Sequence, residues 1–101
     1  MWVFVLFDLP VKTKKQRKIA ARFRKGLLES GFWMLQFSVY ARPCPTEENA
    51  QTHGARVRAM LPEMGHVRVI RLTDQQFARM DVFVGCKRSE VEGMPQQLEI
   101  F

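Results

Sequence analysis

The chain has 101 residues, 47% of them hydrophobic and 26% charged, with a formal charge of +6 and a pI near 9.9. That length makes one domain with one core, hiding about two thirds of its unfolded surface, and leaves no room for a second. The basic balance points to an anionic partner, nucleic acid ahead of an acidic membrane surface, while Cys44 and Cys86 fit no metal-ligand spacing and suit a reduced, cytoplasmic protein, a disulfide staying open.

Residues 2–10, Trp-Val-Phe-Val-Leu-Phe-Asp-Leu-Pro, begin with six consecutive apolar residues and then reach a carboxylate and a proline. The run is too short for a membrane span and right for a strand buried on both faces. Without a basic leader or a small-residue cleavage site, and with Asp8 so early, it is expected to be structure rather than a signal peptide. Alternation puts Val3, Val5 and Phe7 on one face and Trp2, Phe4, Leu6 and Asp8 on the other. Pro10 cannot donate to a ladder, so pairing is expected to stop near it and leave Asp8 at the strand's mouth.

Thr13 with Gln16 makes a capping box, and the absence of breakers predicts a helix over about 13–30. Ile19, Ala20, Phe23 and Leu27 form its apolar stripe, with Leu28 outside it. Lys12, Lys14, Lys15, Arg17, Lys18, Arg22, Arg24 and Lys25 lie on the rest of the helix and its lead-in, half of the sixteen Lys and Arg, with no acid between Asp8 and Glu29. Like charges at i and i+4 destabilise an isolated helix, and a row of phosphates would relieve them. The plainer reading is a solvated face.

Residues 32–41, Phe-Trp-Met-Leu-Gln-Phe-Ser-Val-Tyr-Ala, read as one long strand whose imperfect alternation implies burial on both faces or a bulge near Gln36 and Ser38. Thr46, Glu47 and Glu48 suit a second helix N-terminus, and that helix is expected to reach about Pro62 with Val57, Met60, Leu61 and Met64 on its apolar face beside Ala50 and His53. Residues 66–72 predict a third strand, 73–77 a helical turn, and 80–84 a fourth strand. A domain over 1–85 is then followed by a polar linker and a terminal β pulse at Leu98, Ile100 and Phe101, which has to pair with a sheet edge in this subunit or another.

Taken together, residues 7–10 (Phe-Asp-Leu-Pro), 36–40 (Gln-Phe-Ser-Val-Tyr), 73–80 (Thr-Asp-Gln-Gln-Phe-Ala-Arg-Met) and the ending Gln-Leu-Glu-Ile-Phe at 97–101 resemble a known family over nearly the whole chain. It is the small CRISPR-associated adaptation protein, number two of its system, partner of the CRISPR integrase and commonly described as an endoribonuclease. The combination looks most like members from loci with a single large effector nuclease. The resemblance implies an α+β, ferredoxin-like αβ sandwich with a mainly antiparallel sheet and two helices on one face. It also implies a break inside 33–42, and a homodimer packed sheet to sheet with the C-terminal strand exchanged. In such a dimer the aspartates ending both first strands approach each other and hold Mg2+, which makes Asp8 the candidate catalytic and metal-binding residue. Phe7 stands where many members have Tyr, and Ala41-Arg42 where many have an acid, and both departures weigh against hydrolysis.

The function so implied is a structural DNA-binding subunit of the spacer acquisition complex, bridging integrase dimers on a double-stranded protospacer. The alternative is a metal-dependent endonuclease acting on single-stranded RNA or on duplex DNA. The candidate nucleic-acid-binding residues are Lys14, Lys15, Arg17, Lys18, Arg22, Arg24 and Lys25. For Asp8 the competing reading is a cap on the following turn. His53 and His66 lack ligand neighbours and read as packing or surface residues; Ser38 lacks a base and reads as a strand hydroxyl. Trp2, Trp33, Phe37 and Tyr40, though able to stack bases, read as core.

Overall fold

The computed structural model describes residues 1–85, 87–89 and 91, with the backbone alone at 87–89. The apolar run at the N-terminus becomes β1 (Trp2–Asp8), one of the two inner strands of a four-stranded sheet. Thr13 caps α1 (Lys14–Glu29): its Oγ1 accepts from the Gln16 N–H at 3.0 Å, and the Gln16 Oε1 accepts from the Thr13 N–H at 3.0 Å. Then follow β2 (Trp33–Gln36), β3 (Val39–Pro43), α2 (Glu47–Ala59), β4 (His66–Leu72), α3 (Asp74–Ala78), β5 (Val82–Val84) and β6 (Lys87–Ser89).

The sheet runs β2-β3-β1-β4, with every neighbouring pair antiparallel. With one helix between β1 and β2 and another between β3 and β4, this is the ferredoxin-like arrangement that the resemblance implies. The long second strand expected over 32–41 is corrected: it is a hairpin, turning at Phe37-Ser38. Ser38 takes φ 63, a left-handed conformation rare outside glycine, so the turn carries no glycine or proline to announce it. The irregular register between Met34 and Gln36 is the bulge that the broken alternation hinted at.

Alternation along β1 divides the core in two. Val3, Val5 and Phe7 pack with Phe23 and Leu27 of α1 and with Ala50 and Val57 of α2, so both helices cover one face. Phe7 meets Phe23 edge to face at 5.2 Å between ring centroids. On the other face Trp2 and Phe4 pack with Ala41 and Phe77. Phe77, from α3, stacks on Trp2 at 3.9 Å between centroids, so that five-residue helix covers one end of the second face. Leu6, half-buried, and Ile70, 44% exposed, lie beyond that cover.

The second helix ends at Ala59, with Met60 as its C-cap, rather than near Pro62, so two members of its expected apolar face, Leu61 and Met64, fall in the following loop and are exposed. β5, shorter than the strand expected over 80–84, pairs with β6 in a separate hairpin that spans the expected boundary at residue 85. The terminal pulse at Leu98, Ile100 and Phe101 lies outside the described residues, as does Cys86.

Candidate carboxylate site and nucleic-acid interface

Asp8 is the last residue of β1 and is exposed. Its strand neighbour in β4 is His66, while Leu6 faces Arg68 and Phe4 faces Ile70, so carboxylate, imidazole and guanidinium share the face left open beyond α3. Of these only Asp8 was singled out by sequence; an imidazole two residues from an arginine in a strand gives no signal until the register is known.

Two turns frame this mouth. On one side the Ser38 carbonyl accepts from the Phe7 N–H at 3.0 Å, which brings the β2–β3 turn beside the end of β1. Phe37 at that turn is 89% exposed, correcting its reading as core, whereas Trp2 and Tyr40 are buried and Trp33 is half-buried. On the other side Gly65, with φ +88, presses against the backbone of Asp8 and Leu9: a Cβ there would overlap the Asp8 carbonyl oxygen and stand 3.1 Å from Leu9 Cα. Only glycine suits both the conformation and the approach. Nothing in the spacing around Gly65 signals this approach in the sequence.

The Asp8 carboxylate makes no hydrogen bond or ion pair among the described residues. The turn after it is held by Gln16, whose Oε1 accepts from the N–H groups of Lys12 and Thr13, so Asp8 does not serve as its cap. Among the described residues no three His, Cys, Asp or Glu side chains gather as a metal cluster. Among the described residues this mouth thus offers a single carboxylate, whereas magnesium takes oxygen ligands and commonly combines one or two carboxylates with waters and substrate phosphates. Two copies meeting on this face would supply that donor set.

The cations of α1 divide by position. At 3.6 residues per turn, Lys14, Lys18 and Lys25 lie along the crest opposite the buried stripe, Lys15 and Arg22 on the flank with Ile19, and Arg17 and Arg24 on the other flank. All are exposed except Arg24, which is half-buried and close enough to Tyr40 to oppose the rise in that phenol's pKa caused mainly by burial. Arg17 donates from Nη1 to the carbonyls of Val11 at 3.2 Å and Lys12 at 3.1 Å, fastening the lead-in. The first turn of α1 has no acid and starts with Lys14 and Lys15, against the helix dipole. Lys25 and Glu29 form an exposed pair at 4.0 Å, worth little. The helix thus has an exposed crest, on which Lys14 and Lys18 have no ion-pair partner among the described residues, and a flank on which Arg17 is committed to the fold.

Arg42, which stands where an acid was expected from the resemblance, donates from Nη1 to the Ser30 carbonyl at 2.6 Å at the C-terminal end of α1. Its charge complements the negative pole of that helix. His53 is buried in α2, and burial, then Arg42 and Arg56, hold its pKa below the usual imidazole value. His66 is exposed. Among the described residues no helix is long and apolar enough to cross a membrane.

The sequence profile of the family described as CRISPR associated protein Cas2 matches residues 1–80. A protein of Parvibaculum lavamentivorans named CRISPR-associated endoribonuclease Cas2 is 52% identical over 101 residues, covering all of both chains. One of the same name from Flavobacterium psychrophilum is 50% identical over 101 residues, all of this chain and 88% of the relative. Among solved structures, that of Streptococcus pyogenes Cas2 at pH 6.5 superposes with a TM-score of 0.62 at 21% identity, over 83% of this chain and 100% of the other, a likeness of fold.

Proposed function

The chain belongs to the CRISPR-associated Cas2 family, and from that premise we propose that it acts in CRISPR adaptation as a homodimer that grips nucleic acid by its phosphates. In this reading it bridges dimers of the CRISPR integrase on a double-stranded protospacer, in the cytoplasm. The observation that carries the proposal is the exposed crest of α1, where Lys14 and Lys18 have no anionic partner among the described residues. With Lys25 they present charge without base-reading amides, which suits backbone contact independent of sequence. The dimer is supported by the apolar remainder around Leu6 and Ile70, left open beside Asp8 at one end of the sheet. A second copy packed there buries that patch and brings the two Asp8 carboxylates towards each other. Cys44, buried and free, is in keeping with a reducing compartment.

A second reading, phosphodiester hydrolysis, is favoured by the unpartnered Asp8 and by relatives named endoribonucleases. Paired Asp8 residues would hold Mg2+, which supplies polarisation of a phosphoryl oxygen. Around it, the cations of α1 would hold the strand, Arg68 would offer charge to the scissile phosphate, and Phe37 would stack on an unpaired base of RNA.

Comparing wild type with Asp8→Ala for RNA cleavage in magnesium, for duplex binding and for spacer acquisition in cells tests both readings. Loss of cleavage with acquisition intact assigns Asp8 to hydrolysis and makes adaptation independent of the carboxylate. Duplex binding by neither protein would overturn the adaptor reading.

A further inference from the structure

Between α1 and the loop after α2 lies a cleft of about 610 Å³. Its floor is aliphatic and thioether, from Ile19, Met60, Leu61 and Pro62, and the one ring that reaches it, Phe23, is buried. Lys15, Lys18 and Arg22 line it against a single acid, Glu63, and none of the three cations has an ion-pair or hydrogen-bond partner among the described residues, so the lining keeps a net positive charge. Leu61 is 46% exposed there, a large apolar side chain left in the open by the early end of α2.

We infer that this cleft is a docking groove for an acidic amphipathic helix of a protein partner, centred on Lys15, Arg22 and Leu61 and meeting the phosphate-binding crest only at Lys18. Charge complementarity selects the occupant. Lys15 and Arg22 are one i, i+7 step apart, about 10 Å along the axis, so a helix lying beside α1 meets them with carboxylates at the same spacing. Its apolar face, at i, i+3 or i+4 and i+7, enters over Met60 and Leu61 in the helix-in-groove manner. A methionine floor adapts to varied aliphatic anchors. Nucleic acid fits less well: a duplex backbone has nothing apolar to place on this floor, and an unpaired base wants an aromatic face to stack on. The inference stands independently of whether the crest binds DNA.

The test uses the full chain as target for a phage-displayed library of random peptides about 16 residues long, enough for over four helical turns, with counter-selection on Leu61→Asp. The enriched peptides are expected to be acidic, with aliphatic residues at helical spacing. Lys15→Glu combined with Arg22→Glu should weaken the best of them at least about tenfold, while Lys14→Gln with Lys25→Gln changes affinity less than about twofold. All substituted side chains are exposed, and circular dichroism melts confirm that the variants fold. Three results would each overturn the inference: no peptide that depends on Leu61, enriched peptides lacking carboxylates, or displacement of the peptide by a single-stranded oligonucleotide whose own binding is lost in Leu61→Asp.

Discussion

Replacing Gly65 by alanine tests how tightly the end of β1 is held. Its φ of +88 lies in the left-handed region, where a Cβ costs about 1–2 kcal/mol. The added methyl would also overlap the Asp8 carbonyl and stand 2.8 Å from Leu9 Cδ2 and 3.1 Å from Leu9 Cα. Two of those three contacts are backbone, so relief requires the strand end to move, at about 1–3 kcal/mol more. The sum, about 2–5 kcal/mol, is a large share of the roughly 5–15 kcal/mol that stabilises such a domain. In scanning calorimetry each kcal/mol lowers Tm by about 4–8 °C at this size, so a drop of at least about 8 °C is expected. Gly54→Ala is the control: its Cβ meets nothing within 4 Å inside a helix, and should raise stability by up to about 1 kcal/mol. A Gly65→Ala protein melting within about 3 °C of wild type would refute the close approach.

Phe37→Ser should leave stability within about 0.5 kcal/mol, because the ring is 89% exposed, while weakening single-stranded RNA binding by about 1–3 kcal/mol if it stacks a base; unchanged RNA affinity removes it from the site. Ile70→Asp, on the open face, should yield a folded monomer in sedimentation at micromolar protein, and a persistent dimer would place the interface elsewhere. His53 has its folded pKa depressed by burial and by two arginines. Below its unfolded pKa of about 6.5 the unfolded chain binds the extra proton, so stability falls with acid; His53→Gln should flatten denaturation midpoints between pH 7 and pH 5, and an unaltered profile would contradict the assignment.

Local chemistry was most legible where one side chain acts on its own backbone. The Thr13–Gln16 box starts α1 one residue inside the expected boundary, and Asp8 ends β1 where Pro10 implied. The β2–β3 hairpin was hidden, because Ser38 takes the left-handed conformation that glycine usually announces. Phe37 therefore passed for one more core aromatic within an apolar run. Leu61 and Met64 were misplaced because helical spacing continues past Met60 although the helix does not. Neither the pressure of Gly65 on Asp8 nor the stacking of Phe77 on Trp2 could be read from spacing. Each joins residues remote in sequence, and only the sheet register brings them together.

The central claim, that phosphates are gripped along the crest of α1, is tested most directly by the salt dependence of duplex binding. Each phosphate neutralised contributes about 0.9 to the slope of log affinity against log salt. Wild type and the triple variant Lys14→Gln, Lys18→Gln, Lys25→Gln should be titrated with duplexes of unrelated sequence across a range of salt. The crest predicts weaker binding to every duplex alike and a slope shallower by up to about 0.9 for each contact removed, with the fold unchanged. A triple variant that keeps the wild-type slope would contradict it.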